Sequence, residues 1–379
     1  MGVAGLLAAL DTRVRERRAE LAGAPGELKL VGYFCNYAPR ELVAASGAIP
    51  LRLADGGTYD TKSRGERYVR SDACPFCKSC LDLFARDPLY RRLSAVVAAS
   101  QCDQMRRLPE VISQQFGIPV LQMALPRTRA DESTRELFRH EVRWLRAELE
   151  RLTGRAVGVE ALRAAMAEER EKRRLLNSVN EMRRSPVPRV REQDILKLVT
   201  AANLLPAREF IATVTREMAR PDEVPARTRG DVPRRLMLIG SIVAEHDLEL
   251  IQMIEERAAI VTDLLCTGVR SFIDRPAEPE SSDLDRLLNQ LADFYFDQPG
   301  CIHQRPNDGF YALARKLGAD LRVHAVVLKT LLYCDGYNFE ANRLERELGL
   351  PFLHIDTDYG EGNREQMRTR VEAFLETLR

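Results

Sequence analysis

The sequence predicts an α/β protein built from two Rossmann-like (flavodoxin-like) parallel-sheet domains with a helical insert between them. Three observations predict it. Near both ends of the chain, short apolar runs closed by turn residues alternate with helix-period segments, the pattern of a parallel sheet covered by helices. The middle of the chain is almost wholly helix-period. The length, 379 residues of which 45% are hydrophobic, is enough for two or three domains with substantial cores.

In chain order, an amphipathic surface helix opens the sequence. The first strand is expected at 28–34 (LKLVGYF), running into Cys35, Asn36, Tyr37 and Pro39. A short helical stretch follows and ends at Gly47, a C′-type residue. Further strands are expected at 49–53 (IPLRL), 93–99 (LSAVVAA) and 118–123 (IPVLQM). From about residue 127 the pattern changes. Residues 134–220 are rich in Arg, Glu, Leu and Ala at helical spacing, broken by Pro186 and Pro188. Their charges read as solvated helix faces. Residues 221–233 are punctuated by Pro and Gly and read as a connector. A second α/β pattern then begins, with strands at 235–239, 258–265, 323–332 and 351–355, a helix at 247–257 and a closing helix at 364–378. The expected boundaries are 1–126 for the first α/β domain, 127–230 for the helical segment and 231–379 for the second.

Composition excludes several classes. With 57 basic against 56 acidic residues the net charge is +1, which gives no basic excess for nucleic acid. No window approaches the length of a spanning apolar helix, and the N-terminal stretch has no basic region ahead of its apolar residues. A cytoplasmic protein with no membrane role is the expectation.

Eight cysteines are too few for a disulfide scaffold of this size, which leaves buried thiols or metal ligands. Their placement favours ligands. Cys35, Cys102, Cys266 and Cys334 each follow an expected strand with at most two residues between, and Cys74 and Cys301 lie in loops between expected elements. Ligands of open α/β sheets bind outside the carboxyl ends of the strands. Each half offers three thiols, and facing carboxyl edges would bring all six into one interdomain cleft. Thiolates select zinc, copper(I) or iron–sulfur clusters, and structural zinc usually draws on short-spaced pairs. Ligands this dispersed suit an iron–sulfur cluster. Cys74, Cys77 and Cys80 also form a C-x2-C-x2-C run that taken alone resembles the opening of a ferredoxin motif, but position 84, where a fourth Cys would fall, is Phe.

Several segments carry a family resemblance. They are GYFCNYAPREL at 32–42 with AASGAIP at 44–50, Cys74-Pro75 with Lys78-Ser79, SQCD at 100–103, and GLP at 349–351 with DTDY at 356–359. In this order and spacing they resemble the 2-hydroxyacyl-CoA dehydratase and benzoyl-CoA reductase family over essentially the whole chain. Matches in both halves, at Cys35, Cys74, Cys102, Cys266, Cys301 and Cys334, look closest to its double-cubane branch. The resemblance implies an oxygen-sensitive homodimer whose subunits hold a double-cubane (8Fe-9S) cluster through these six cysteines and reduce a small substrate. It also implies a separate ATPase activator, carrying its own 4Fe-4S cluster, that injects low-potential electrons. In keeping with a partner-borne nucleotide site, the chain has no G-x-x-x-x-G-K-[ST] motif. The alternative within the family is a subunit with a single 4Fe-4S cluster, acting on a CoA thioester beside an unlike subunit. An electron carrier without a substrate is the alternative of another class.

Other residues fill out the expected site. His303, two residues from Cys301 and placed where a further cysteine would be expected, is the candidate proton donor, and Glu41, on the helix after Cys35, is a second catalytic candidate. Lys78 is a candidate hydrogen-bond donor to cluster sulfide, and Tyr37, Tyr333 and Tyr337 are candidates to shield the site from water. Asp103 and Asp335 read as helix N-caps or loop polarity. His324 and His354, inside strands, read as satisfied core residues, and 356–362 as a plain strand loop.

Overall fold

The computed structural model describes residues 3–219, 233–273, 280–360, 362 and 364–378. The expected connector at 221–233 falls, apart from Pro233, outside them. Two four-stranded, all-parallel sheets form the frame. The first comprises β1 (Leu30–Tyr33), β2 (Ile49–Arg52), β3 (Ala95–Ala99) and β4 (Val120–Met123), in the order β2-β1-β3-β4. The second comprises β5 (Arg234–Gly240), β6 (Ala258–Leu264), β7 (Ala325–Leu331) and β8 (Phe352–Thr357), in the order β6-β5-β7-β8. The two orders are the same. The chain starts in the middle of each sheet, steps one way, and returns across to the other side. The direction therefore reverses between β1 and β3 and between β5 and β7, and such a reversal opens a crevice at the strands' carboxyl ends.

The strands read as near-continuous apolar runs because helices cover both faces. Every residue of β3 and of β7 is buried. Several helices stop on glycine in the left-handed conformation, as at Gly117 (φ 68°) and Gly349 (φ 60°), where a side chain would be strained.

The helix-period middle forms four α-helices, Glu132–Thr153, Val159–Asn180, Glu192–Leu204 and Ala207–Met218. Pro186 and Pro188 lie in the break before the third. The N-terminal helix Val3–Ala22 buries Leu6 and Leu10 in the core of these helices. One packing choice is invisible in the sequence. The helix Leu284–Phe296 lies between β6 and β7 in the chain, yet Leu287, Leu288 and Leu291 join the core of the first sheet with Phe138, Val142 and Leu145. Arg139 clamps this pairing through two bonds to Asp293, at 2.9 and 2.8 Å.

The two sheets are stitched together by backbone hydrogen bonds at two places. Arg305 donates to the Arg127 carbonyl, and Arg129 donates to the Arg305 carbonyl, both at 2.7 Å. Elsewhere Glu245 and His246 donate to the carbonyls of Gly56 and Gly57, at 3.1 and 3.3 Å. Gly57 has φ 75°, and a Cβ there would lie 2.3 Å from that of Ala244, so only glycine lets the chains approach this closely.

Candidate functional site: six cysteines around one cavity

The carboxyl edges of the two sheets face a common cavity of about 260 Å³, and Cys35, Cys74, Cys102, Cys266, Cys301 and Cys334 all line it. They arrive by three kinds of local device: a turn, helix N-caps and polar anchors. Cys35 leaves β1 in a turn closed by the Ala38 N–H on the Cys35 carbonyl, at 3.1 Å. Cys74, Cys102 and Cys334 are the N-cap residues of the helices Pro75–Arg86, Asp103–Phe116 and Asp335–Leu348. These positions put three sulfurs against the unpaired N–H groups and positive dipole ends of helices, where a thiolate is favoured. Asp103 and Asp335, read from the sequence as caps, instead occupy the first helical turn.

Cys266 and Cys301 are placed by polar anchors. The Cys266 N–H bonds the Ser241 carbonyl at 2.6 Å, tying the loop after β6 to the loop after β5. Asp263, fully buried at the end of β6, accepts from the N–H groups of Leu265 (3.0 Å) and Val269 (2.9 Å) and so folds the turn that carries Cys266. Gln304 joins three loops. It accepts from the Tyr37 hydroxyl and the Cys301 N–H, and donates to the Pro126 carbonyl. After β5 the loop holds Ser241 and Ile242 in place of a cysteine, and it is braced from below. Lys329, 1% exposed on β7, donates to the Ile242 carbonyl at 3.0 Å and to Asp247 at 2.7 Å.

The charges follow from burial and mutual repulsion. Burial pushes the Cys35, Cys102 and Cys334 thiols up to about 12, with neighbouring thiols adding to the rise. Cys74 goes the other way, down to about 7, chiefly through a hydrogen bond from Cys77. A buried cation answers these sulfurs. Arg270 donates to Cys266 Sγ at 3.4 Å and to the Tyr337 hydroxyl at 3.2 Å. Burial opposes its charge, but the surrounding Cys266, Tyr337 and Cys301 outweigh that and hold it ionised.

Among the described residues no three His, Cys, Asp or Glu side chains converge closely enough to hold a single metal ion. Six soft donors spread around one cavity, three of them on helix N-termini, therefore fit a polynuclear iron–sulfur group better than mononuclear zinc, whose ligands gather around one point. When bound, such a group supplies one-electron chemistry at low potential.

The remaining expected site residues separate cleanly. His303 lines the cavity. Its ring packs edge-on to Tyr337, and Gly336 leaves the space it fills: a Cβ there would lie 2.1 Å from His303 Cε1. Burial, then the nearby Arg270, Arg127 and Arg305, push His303 down to about 4, so the ring is neutral at pH 7. Tyr37, Tyr333 and Tyr337 line the cavity as well. Glu41 does not. It is 1% exposed, accepts from the Tyr295 hydroxyl at 2.5 Å and pairs with Arg173 at 3.4 Å, which makes it a packing anchor rather than a group in the cavity. Lys78 also turns elsewhere, to Glu66 and the Ser71 carbonyl. Cys77 lines the cavity, whereas Cys80 is fully buried in the core of the first sheet. The two histidines expected in the core are not core residues: His324 accepts from the Arg235 N–H but lies just before β7 and is exposed, and His354, on β8, bonds Thr330 and is half-buried.

Sequence reasoning missed Arg52, Arg127 and Arg270, the arginines lining this cavity beside the cysteines. In a chain with 57 basic residues nothing local distinguishes them, although the G-V-R spacing after Cys266 is one helical turn and was readable.

Known proteins resemble this chain over most of its length. The chain is 28% identical over 362 residues to a benzoyl-CoA reductase subunit of Thauera aromatica, covering 93% of this chain and 91% of that one. It is 26% identical over 366 residues to the YjiM protein of Escherichia coli (strain K12), covering 93% and 92%. It is 24% identical over 364 residues to the (R)-phenyllactyl-CoA dehydratase beta subunit of Clostridium sporogenes, covering 92% of each. A family model described as 2-hydroxyglutaryl-CoA dehydratase, D-component, matches residues 35–378. With nearly the whole chain matched, from Cys35 through the closing helix, the protein belongs to the 2-hydroxyglutaryl-CoA dehydratase D-component family.

Proposed function

We propose that the protein is an iron–sulfur enzyme of this family that reduces a small substrate at a double-cubane cluster, using electrons from a separate ATP-hydrolysing activator that carries its own 4Fe-4S cluster. The observation that carries the reading is the set of six cysteines, three from each half of the chain, around a single cavity. In this reading those six hold the cluster. Arg270 compensates part of their negative charge, and the three helix N-termini compensate more. Tyr37 and Tyr337, both buried, keep water from the sulfurs. His303, neutral beside Cys301, offers a substrate an N–H to hydrogen-bond and orients it. A cytoplasmic, oxygen-sensitive homodimer belongs to the same reading.

The names of the relatives favour a second reading. Thauera aromatica's protein is a benzoyl-CoA reductase subunit and that of Clostridium sporogenes a dehydratase beta subunit. By analogy this chain would be a single-cubane subunit acting on a CoA thioester beside an unlike subunit. Iron and acid-labile sulfide counts on anaerobically purified protein separate the two. A double cubane gives about eight irons per chain and a single cubane about four. A count near four, or a stable complex with an unlike subunit, overturns the first reading.

A further inference from the structure

A second cavity, of about 670 Å³, adjoins the first at Arg52, which lines both. It lies between β2, the helix Glu192–Leu204 and the loop after β5, and it has the size of an ordinary small-molecule site. Buried Leu51, Leu53, Leu196, Val199 and Val243 give it apolar walls. Most of its charges cancel. Arg18 bonds Asp55 at 2.7 Å and Asp87 at 3.1 Å, and Lys197 pairs with Asp11 at 3.0 Å. Arg52 is different, because among the described residues it has no carboxylate partner. Its Nη1 donates to the Asn36 amide oxygen at 2.8 Å, its guanidinium lies 5.5 Å from the centre of the Tyr33 ring, and its buried Nε has no hydrogen-bond partner. Asn203, also lining this cavity, is tied to the same tyrosine. Its Oδ1 accepts from the Tyr33 hydroxyl and from Arg40 Nη1, each at 3.2 Å. Arg40 can only donate, so the orientation of the amide is fixed, and its NH2 group is left without a partner among the described residues.

We propose that this second cavity binds a small amphipathic monocarboxylate, its carboxylate on Arg52 and Asn203 and its apolar chain along the leucine and valine walls. A planar guanidinium and an amide, both held around one tyrosine ring and both with N–H groups to spare, match the two oxygens of a carboxylate. A buried N–H without an acceptor is costly, and a bound carboxylate removes that cost. Charge decides against a phosphate ester. Among the described residues lining the cavity, Arg52 is the one cation without a carboxylate partner, and Glu245, exposed and lining the same cavity, repels a second negative charge. The walls decide against a bare inorganic anion, which would leave their apolar surface uncovered. Because Arg52 belongs to both cavities, the carboxylate end of the ligand lies at the boundary between them.

The test is isothermal titration calorimetry on the full-length, anaerobically purified chain with four probes: hexanoate, hexanamide, acetate and inorganic phosphate. Hexanoate should bind with a dissociation constant of about 1 mM or tighter, as a well-fitted ligand of its size does. Hexanamide keeps the chain and loses the charge, and should bind at least about tenfold more weakly. Acetate keeps the charge and loses the chain, and should also bind at least about tenfold more weakly. Arg52→Gln should weaken hexanoate by about tenfold or more and leave hexanamide unchanged. Thr200→Trp, at an exposed lining position, fills the cavity with Arg52 intact and should abolish binding of hexanoate. This second variant decides the matter even if Arg52→Gln folds poorly. No saturable binding of hexanoate at about 10 mM overturns the proposal. So does equal affinity for hexanoate and hexanamide, tighter binding of phosphate than of hexanoate, or hexanoate affinity unchanged by Arg52→Gln or by Thr200→Trp. The readout is binding rather than iron content or turnover, so failure here leaves the cluster assignment standing.

Discussion

Gly268→Ala is expected to unfasten the turn that carries Cys266. A Cβ on Gly268 would lie 2.0 Å from Asp263 Oδ1 and 2.6 Å from its Cγ, against an ordinary contact near 3.5–4 Å, so the carboxylate must move by more than about 1 Å. Oδ1 is the acceptor for both the Leu265 and the Val269 N–H groups, and Oδ2 faces Arg183 at 3.5 Å. Hydrogen bonds to a charged group contribute about 1.5–3 kcal/mol each, so losing both costs roughly 3–6 kcal/mol before the loop relaxes. At about 2–4 °C per kcal/mol, the melting temperature should fall by roughly 6 °C or more. Differential scanning calorimetry on the parent, Gly268→Ala, Asp263→Ala and the double variant forms a thermodynamic cycle. With the carboxylate already removed, adding the methyl should cost at least about 1.5 kcal/mol less than it does in the parent. An unchanged melting temperature, or equal costs in both backgrounds, would refute the reasoning.

The other predictions concern ligands, a buried ion pair and pH. Cys35→Ala, Cys102→Ala, Cys266→Ala and Cys334→Ala should each lower the iron content of anaerobically purified protein, whereas Cys80→Ala should keep its iron and lose about 1 kcal/mol as a buried sulfur is deleted. Full iron in any two of the first four removes the assignment. Lys329→Met leaves Asp247 buried without its cation and should cost about 3–5 kcal/mol in urea unfolding; a cost below 1 kcal/mol would show that Thr357 and the Ala244 N–H suffice for that carboxylate. Glu169 is buried, which on its own would raise its carboxyl, but Arg40, Lys172 and Arg173 outweigh burial and hold it below the ordinary value. Its contribution is therefore complete above the unfolded-state value near pH 4.3 and is lost as pH falls through the lower folded value. Glu169→Gln should flatten the decline of the urea midpoint between about pH 4.5 and pH 3; an unchanged slope would place acid sensitivity elsewhere.

What the sequence made legible, and what it hid, follows from the range of each interaction. All eight strands were readable, because a parallel strand covered on both faces needs an unbroken apolar run, and AVVAA in β3 or AVVLKTL in β7 has few other uses. Four of the six cysteines, Cys35, Cys102, Cys266 and Cys334, could be picked out because strand ends are marked locally and in this topology strand ends converge, whereas Cys74 and Cys301 sit in loops between other elements and needed the family resemblance. Glu41 shows the limit. Its place after Cys35 suggested chemistry, but which way a helical side chain points depends on what packs against it, and here Tyr295 and Arg173 arrive from 254 and 132 residues away. The same blindness hid the helix Leu284–Phe296, whose apolar stripe is equally good for either sheet. Only the complementary surface of the helix Glu132–Thr153, with Arg139 opposite Asp293, decides which one it covers.

The two backbone stitches between the sheets have a mechanical consequence. One borders the cysteine cavity, where Arg127 and His303 are lining residues; the other borders a larger neighbouring cavity of about 670 Å³, lined by Gly56 and Glu245. Two separated attachment points restrict the relative motion of the halves to a swing about the line that joins them. Any opening of the cysteine cavity therefore has to turn on that axis or break one of the stitches, and Asp103 and Tyr333, lining residues that are exposed, mark where the cavity meets solvent.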